Sequence, residues 1–297
     1  MHPHQQSVTP RQQRSVTRIT SGQRSQDGAG VNLTNYIPFP ATLQLDPFLL
    51  LDVIKSDNAN DYIKGFPPHP HRGFQTVTYL LAGRVRHRDS AGHSGLLQAG
   101  GVQWMTAGSG IEHSEIPEQE SGLLFGFQLW LNLPAANKMQ APSYQDFEPA
   151  QIPEERRSPE TKIRVITGTT AQGTTGPVKD IATSPQFFDV QLAEGGTYQE
   201  TIPSEHTAFM FIIEGDVAVH GPTSSARITS NQLAVLSSGD KVSVEAASNS
   251  RFLLISGRPL HEPITRHGPF VMNTQEELVQ AYRDYEAGNF GHVEGEP

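Results

Sequence analysis

TVTYLLAGRV, residues 76–85, and AFMFIIEGDV, residues 208–217, are the stretches on which the fold turns. Each is an apolar run rich in β-branched or aromatic residues. Each also carries a glycine, Gly83 or Gly215, where a hairpin needs a residue for which positive φ costs little. The likeness continues downstream, where GVQWMTAG, ending at Gly108, lies against QLAVLSSG, ending at Gly239, at an offset that agrees within one residue. Two matches at one offset identify an internal repeat. A repeat of short strands implies a duplicated β-barrel or double-sheet jelly roll, an architecture that shields strand edges and leaves a mouth for ligands.

Working outward, strand-like runs fall at residues 16–20, 48–53, 76–81, 102–106 and 123–131 in the first half. In the second half they fall at 163–167, 187–192, 208–213, 233–236 and 252–256. A polar, proline-rich stretch over residues 134–159 divides the two series. The expected organisation is a disordered extension over 1–14, a metal-binding barrel over 15–135, a crossing segment over 136–160, a second barrel without a metal site over 161–258, and a C-terminal segment over 259–297. That last segment should hold a helix at about 275–287 and a flexible tail. Thr274 with Glu277 forms a capping box, Leu278, Ala281, Tyr282 and Tyr285 share one face, and Gly288 can end the helix.

Composition narrows the chemistry. Of 297 residues, 36% are hydrophobic and 18% charged, and 27 glycines with 22 prolines suit many short strands and turns, so the fold class is all-β. The net charge of −9 argues against direct nucleic-acid binding, which needs a clustered basic surface. With no cysteine in the chain, disulfides, thiol nucleophiles and thiolate metal sites are excluded. Absent disulfides and the lack of any apolar run approaching about 20 residues lead us to expect a cytoplasmic protein that does not span a membrane.

The chemistry-bearing residues sit just before the first repeat. His69 and His71 are two apart, and a strand sends alternate side chains to one face with Cα atoms roughly 6.6 Å apart, so both imidazoles can converge on one ion. Pro70 between them marks a strand start or edge. His113 and Glu115 repeat the same spacing, with Gly and other small residues just upstream. Three imidazoles and a carboxylate suit iron, copper, nickel, manganese or zinc. Shifting the ligand positions by the repeat offset lands near Thr201, Pro203, Val244 and Ala246, which could not build such a site, so the barrel does not need these histidines to fold.

Other histidines and acidic residues offer weaker candidates. His87, Asp89 and His93 read as a solvated hairpin tip. His206 and His220 flank a strand of the second half with no acidic partner at ligand spacing, and Trp104 reads as core. His2 and His4 repeat the His-Pro-His pattern on a terminus with nothing converging on it. The acid-poor N-terminus lacks the sustained amphipathic pattern of a transit peptide.

HPHRGFQTVTYLLAG, HRDSAGHSG, GGVQWMTAGSGIEHSE, the upstream DPFLLLD at 46–52 and the C-terminal HGPFVMNTQEE together resemble the pirin family of the cupin superfamily, from about Ser15 to Phe290. The resemblance implies a bicupin fold with a C-terminal helix and iron ligands at His69, His71, His113 and Glu115. Fe(II) then becomes the leading cofactor, with Mn, Ni, Cu and Zn as the alternatives. Gln75 and Trp104 are expected just outside the ligands. Gln75 departs from the glutamate that pirins often carry there, and an amide cannot take up a proton as a carboxylate would.

Two function classes follow from the resemblance. One is a quercetinase, a flavonol 2,3-dioxygenase that takes a flavonol and O2 as substrates, with Glu115 as a ligand or as the base. The other is a non-enzymatic, iron- and redox-dependent regulator that binds a protein partner, either in transcription or on a metabolic enzyme. A zinc-bearing cupin isomerase or hydrolase is a third. A monomer is expected.

Overall fold

The computed structural model of the chain describes residues 12–38 and 45–290. His2, His4, residues 1–11 of the expected disordered extension and the end of the expected flexible tail lie outside the described residues. Among the described residues, two seven-stranded antiparallel sheets and two four-stranded sheets make up two barrels. In the first barrel the large sheet runs, in spatial order, Ser143–Phe147, Val102–Thr106, Phe74–Ala82, Leu124–Asn132, Phe48–Ser56, Val31–Asn35, Gln23–Asp27. Its small sheet runs Phe66–His71, Ile111–Pro117, Arg84–Asp89, Ser94–Gln98. The second barrel repeats the pattern, with Thr207–Glu214 and Ser250–Gly257 inside its large sheet and Thr197–Thr201, Lys241–Ala246, Asp216–His220, Ser225–Thr229 as its small one. Gly83 and Gly215 both take positive φ, 88° and 81°, at the matching hairpins.

Strand alternation divides the apolar residues into separate cores. The two large sheets pack face to face through Val77, Tyr79, Trp104, Phe127, Phe209, Phe211, Leu253 and their neighbours. Edge-to-face ring pairs cross this seam at Tyr36–Phe211, Phe48–Phe209 and Phe127–Phe211, with centroids 4.8, 5.0 and 5.3 Å apart. The opposite faces line the barrel interiors. In the second barrel that interior is a closed apolar core, whereas in the first it breaks into smaller clusters around a cavity.

The chain ends differ from expectation. Val16–Thr20 joins the second barrel and not the first, pairing with Gln232–Leu236 and covering that sheet's edge. Residues 12–14 of the expected disordered extension are packed there too. Arg14 is buried, donating to the carbonyls of Ser237, Pro203 and His206. Local strand propensity does not say which sheet edge is open, so the assignment could only come from the assembled fold.

The stretch over 134–159 also holds two edge strands, Ser143–Phe147 on the first barrel and Glu154–Ser158 on the second. At the other end the helix Gln275–Glu286 carries the expected Thr274/Glu277 capping box. Its buried Leu278 and Ala281 pack on Phe270, Met272 and Phe290. Phe270–Met272 in turn lies against Arg72 of the first barrel. The N-terminal strand thus closes the second barrel and the C-terminal segment braces the first.

Candidate metal centre

Phe66–His71 is an edge strand, which is where Pro67, Pro68 and Pro70 can be tolerated because no neighbour needs their missing N–H groups. It pairs antiparallel with Ile111–Pro117 so that His69 stands opposite His113 and His71 opposite Ile111. A register shift follows, and Glu115 faces Phe66. The three imidazoles meet, with ring centroids 4.5 Å apart for His69–His113, 4.7 Å for His69–His71 and 4.9 Å for His71–His113. One nitrogen from each lies within 4.8 Å of the others.

The state of these rings fits a metal. Burial, reinforced by the neighbouring imidazoles, holds His71 and His113 well below the usual histidine range, so both are neutral. Neither ring nitrogen of His113 has a hydrogen-bond partner among the described residues, and those of His71 have no well-formed bond, with only the Pro269 carbonyl nearby. Each such orphan costs on the order of 1–3 kcal/mol, a penalty that a coordinated cation would offset. The third ring is already aimed. His69 Nδ1 lies 2.8 Å from the Pro67 carbonyl, which can only accept, so the proton sits on Nδ1 and the lone pair on Nε2. Among the described residues this donor set of three imidazoles suits a divalent transition metal.

Surrounding contacts set the rings. His71 packs edge-on against Phe74 and Trp130, at 5.2 and 5.3 Å. Arg72, next along the chain, points away and donates through Nε to the Ser109 carbonyl at 2.6 Å, in the turn that leads to His113. Its Nη1 pairs with Asp284 of the C-terminal helix at 2.7 Å, and the guanidinium lies 4.4 Å over the Phe290 ring. That ring is also why residue 110 is glycine, since a Cβ there would come within 2.7 Å of it.

Glu115 is buried on the same sheet face but is not part of the three-histidine group. Its Oε1 accepts from Thr78 Oγ1 at 3.0 Å and its Oε2 from Gln128 Nε2 at 3.1 Å. It lines the same cavity as His69 and His71.

Gln75 and Trp104, expected just outside the ligands, lie on the reverse face of the large sheet. Phe74 contacts His71 and Thr78 contacts Glu115, so the intervening odd positions point the other way. Gln75 accordingly donates to Thr106, and Trp104 stands opposite Val77 in the seam between the barrels. The amide at 75 is therefore not a substitute for a base at the metal.

His87 and Asp89 also differ from a solvated tip. Both are buried on Arg84–Asp89, His87 opposite Glu115 and Asp89 opposite His113. Asp89 Oδ1 accepts the backbone N–H groups of Ala91 and His93, each at 2.8 Å, and only His93 of the three is exposed. His206 is buried beside Ser256, and His220 reaches Glu245 at 3.2 Å on the surface of the second barrel.

His69 and His71 open onto a cavity of about 530 Å³, within the range of small-molecule sites. Val31, Leu33, Ile54, Leu80 and Leu124 give it apolar walls, while Thr78, Gln128, Asp52 and Arg266 supply polar groups. Sequence reading missed these four. Gln128 and Asp52 each stand in the middle of a mostly apolar strand, where a polar residue at an inward position is the available signal, whereas Thr78 shares its strand with Gln75 and Thr76. Among the described residues, no helix is long and apolar enough to cross a membrane.

Comparison with known proteins agrees with this geometry. The family described as Pirin matches residues 30–131, and the one described as Pirin C-terminal cupin domain matches residues 187–291. A pirin-like protein of Caulobacter vibrioides is 48% identical over 93% of this chain and 99% of its own length. Human pirin is 40% identical over 92% of each chain. Among solved structures, a quercetin 2,3-dioxygenase from Acinetobacter baumannii superposes with a TM-score of 0.86 at 33% identity, covering 95% of this chain and 99% of that one.

Proposed function

We infer, because the chain belongs to the pirin family of the cupin superfamily, that its first barrel is a metal-dependent dioxygenase site for flavonols of the quercetin type. His69, His71 and His113 would hold the metal, Fe(II) by family resemblance, and Glu115, on the wall of the same cavity, would complete the set or act as base. The observation that carries this reading is the cluster of three converging imidazoles, two of them buried and neutral, of which His69 and His71 line a mostly apolar cavity. Likeness to the Acinetobacter quercetin 2,3-dioxygenase supports the choice of substrate.

A bound metal would supply Lewis acidity and a template that brings a flavonol 3-hydroxyl and O2 together. The protein's own part follows from the side chains. Thr78 and Gln128 hold the Glu115 carboxylate at the cavity wall, where either oxygen can accept the proton of the 3-hydroxyl. Losing that proton moves electron density into the heterocycle. One O2 is then consumed per flavonol, the heterocycle opens, and carbon monoxide leaves. Phe74 and Trp130 screen the histidine cluster from water on one side.

Metal-loaded protein should consume oxygen and release carbon monoxide with quercetin, and His113→Ala should do neither. Equal rates in the two would defeat the proposal. Tight metal binding with no turnover of any flavonol would leave the protein-binding regulator as the better reading.

A further inference from the structure

Across the cavity wall, inward-facing residues of three neighbouring strands fall in one line. Asp52 on Phe48–Ser56 stands opposite Gln128 on Leu124–Asn132, and Gln128 stands opposite Thr78 on Phe74–Ala82. Gln128 donates to Glu115, and the single proton of the Thr78 hydroxyl is shared between Glu115 at 3.0 Å and Gln128 Oε1 at 2.7 Å. Asp52 lies two strand spacings beyond Thr78, about 10 Å away. The line therefore begins beside the metal ligands and ends on a carboxyl at the far side of the same cavity.

That carboxyl is unusual in its setting. It is 7% exposed and shares the cavity with Leu33 and Ile54. Asn35 donates to its Oδ1 at 2.6 Å. Burial, with Asp27 nearby, pushes it up to about 7 against the opposing influence of Asn35 and Arg266. A carboxyl placed in a largely apolar wall is costly unless it has hydrogen-bond partners. A ligand hydroxyl reaching it from the cavity would be such a partner.

We propose that Asp52 is a specificity-determining residue that receives a phenolic hydroxyl on the part of the substrate remote from the histidine cluster. The cavity then selects polyhydroxylated flavonols over those whose pendant ring carries no hydroxyl. The inference rests on the flavonol reading above and deepens it. The separation fits a ligand with one hydroxyl at the metal end and another on a second ring. A site built around a hydroxyl rejects the analogue lacking it far more strongly than an apolar pocket rejects a change of size.

Anaerobic equilibrium binding tests this without requiring turnover. Metal-loaded protein is titrated with quercetin and with galangin, which has the same core but an unhydroxylated pendant ring, and tryptophan fluorescence is followed. Wild type should bind quercetin at least about tenfold more tightly, and Asp52→Leu should bring the ratio near one by weakening quercetin alone. A structural role for Asp52, through its bond to Asn35, would weaken both ligands equally and would overturn the proposal.

Should the leucine variant fail to fold, Asp52→Asn decides. It keeps the shape and an acceptor for Asn35 but offers phenols a weaker one, so the ratio should fall about threefold, and an unchanged ratio overturns the proposal. Oxygen uptake by the same wild-type preparation separates the two levels. No uptake defeats the dioxygenase reading, whereas equal binding of both flavonols by wild type defeats the role of Asp52.

Discussion

Set side by side, the small sheets of the two barrels show how one framework carries a site and the other does not. In the first, His69, His113 and Asp89 form one cross-strand row. In the second, register places Tyr198, Val244 and Val219 in the corresponding row. The next row holds Glu115 and His87 in the first barrel and Ala246 and Val217 in the second. Where His71 stands opposite Ile111, the second barrel has Glu200 opposite Val242.

Val244 and Ala246 sit in closed apolar packing. Glu200 is satisfied by Arg157 at 2.6 Å, by the Tyr198 hydroxyl at 3.2 Å and by backbone N–H groups. The second barrel has partnered its polar groups internally. The first has left buried imidazole nitrogens without protein partners, and that is the chemical difference between the two halves.

The largest effect should come from making the first barrel copy the second. His113→Val should lower metal affinity at least about a hundredfold, because losing a ligand exceeds the 10–100-fold typical of losing a partner behind one. The metal-free variant should melt no lower than metal-free wild type, since two orphaned nitrogens are removed. A marked fall in its Tm would mean that the fold itself needs the imidazole.

Next in size is the reverse intervention. Arg157→Ala removes the charge partner of buried Glu200, which keeps the Tyr198 hydroxyl and two backbone N–H groups, and should cost about 1–3 kcal/mol in denaturant unfolding. Metal content should stay as in wild type. Metal lost in proportion to stability would show that the barrels do not divide the labour as described.

Acid should act on the first barrel more mildly. His71 and His113 have folded-state values well below 6.5, so the unfolded chain binds more protons than the native one in that interval. Their contribution to stability is complete above 6.5 and is lost as pH falls below it. The metal-free protein should therefore weaken by up to about 1.4 kcal/mol per pH unit per histidine. Melting curves between neutral and mildly acidic pH should show this, with a shallower slope in His113→Val.

The smallest effect tests the reverse face. Gln75→Glu should change metal content and turnover by less than about twofold, because residue 75 points into the seam between the barrels. A large change in kcat would put that position back at the metal.

Much of this was legible in advance, for local reasons. The hairpin glycines, the helix with its capping box and the pairing of His-x-His with His-x-Glu follow from turn stereochemistry and the period of two along a strand. The repeat correctly placed Val244 and Ala246 at the positions equivalent to His113 and Glu115. It failed at Thr201 and Pro203, whose places belong to Tyr198 and Glu200. The link between the equivalent strands is three residues longer in the second barrel, and a constant offset cannot register an insertion.

What the amino-acid order determined by itself was therefore the set of elements, the duplication and three histidines able to meet, all properties of near neighbours along the chain. Only the tertiary structure decided that Val16–Thr20 closes the second barrel, that Gln75 and Trp104 turn from the site, that Glu115 is held by Thr78 and Gln128, and that Asp52 faces the cavity. Each of these depends on which distant strands pair and in what register, and that is settled by burial of whole sheet faces after the local structure has formed.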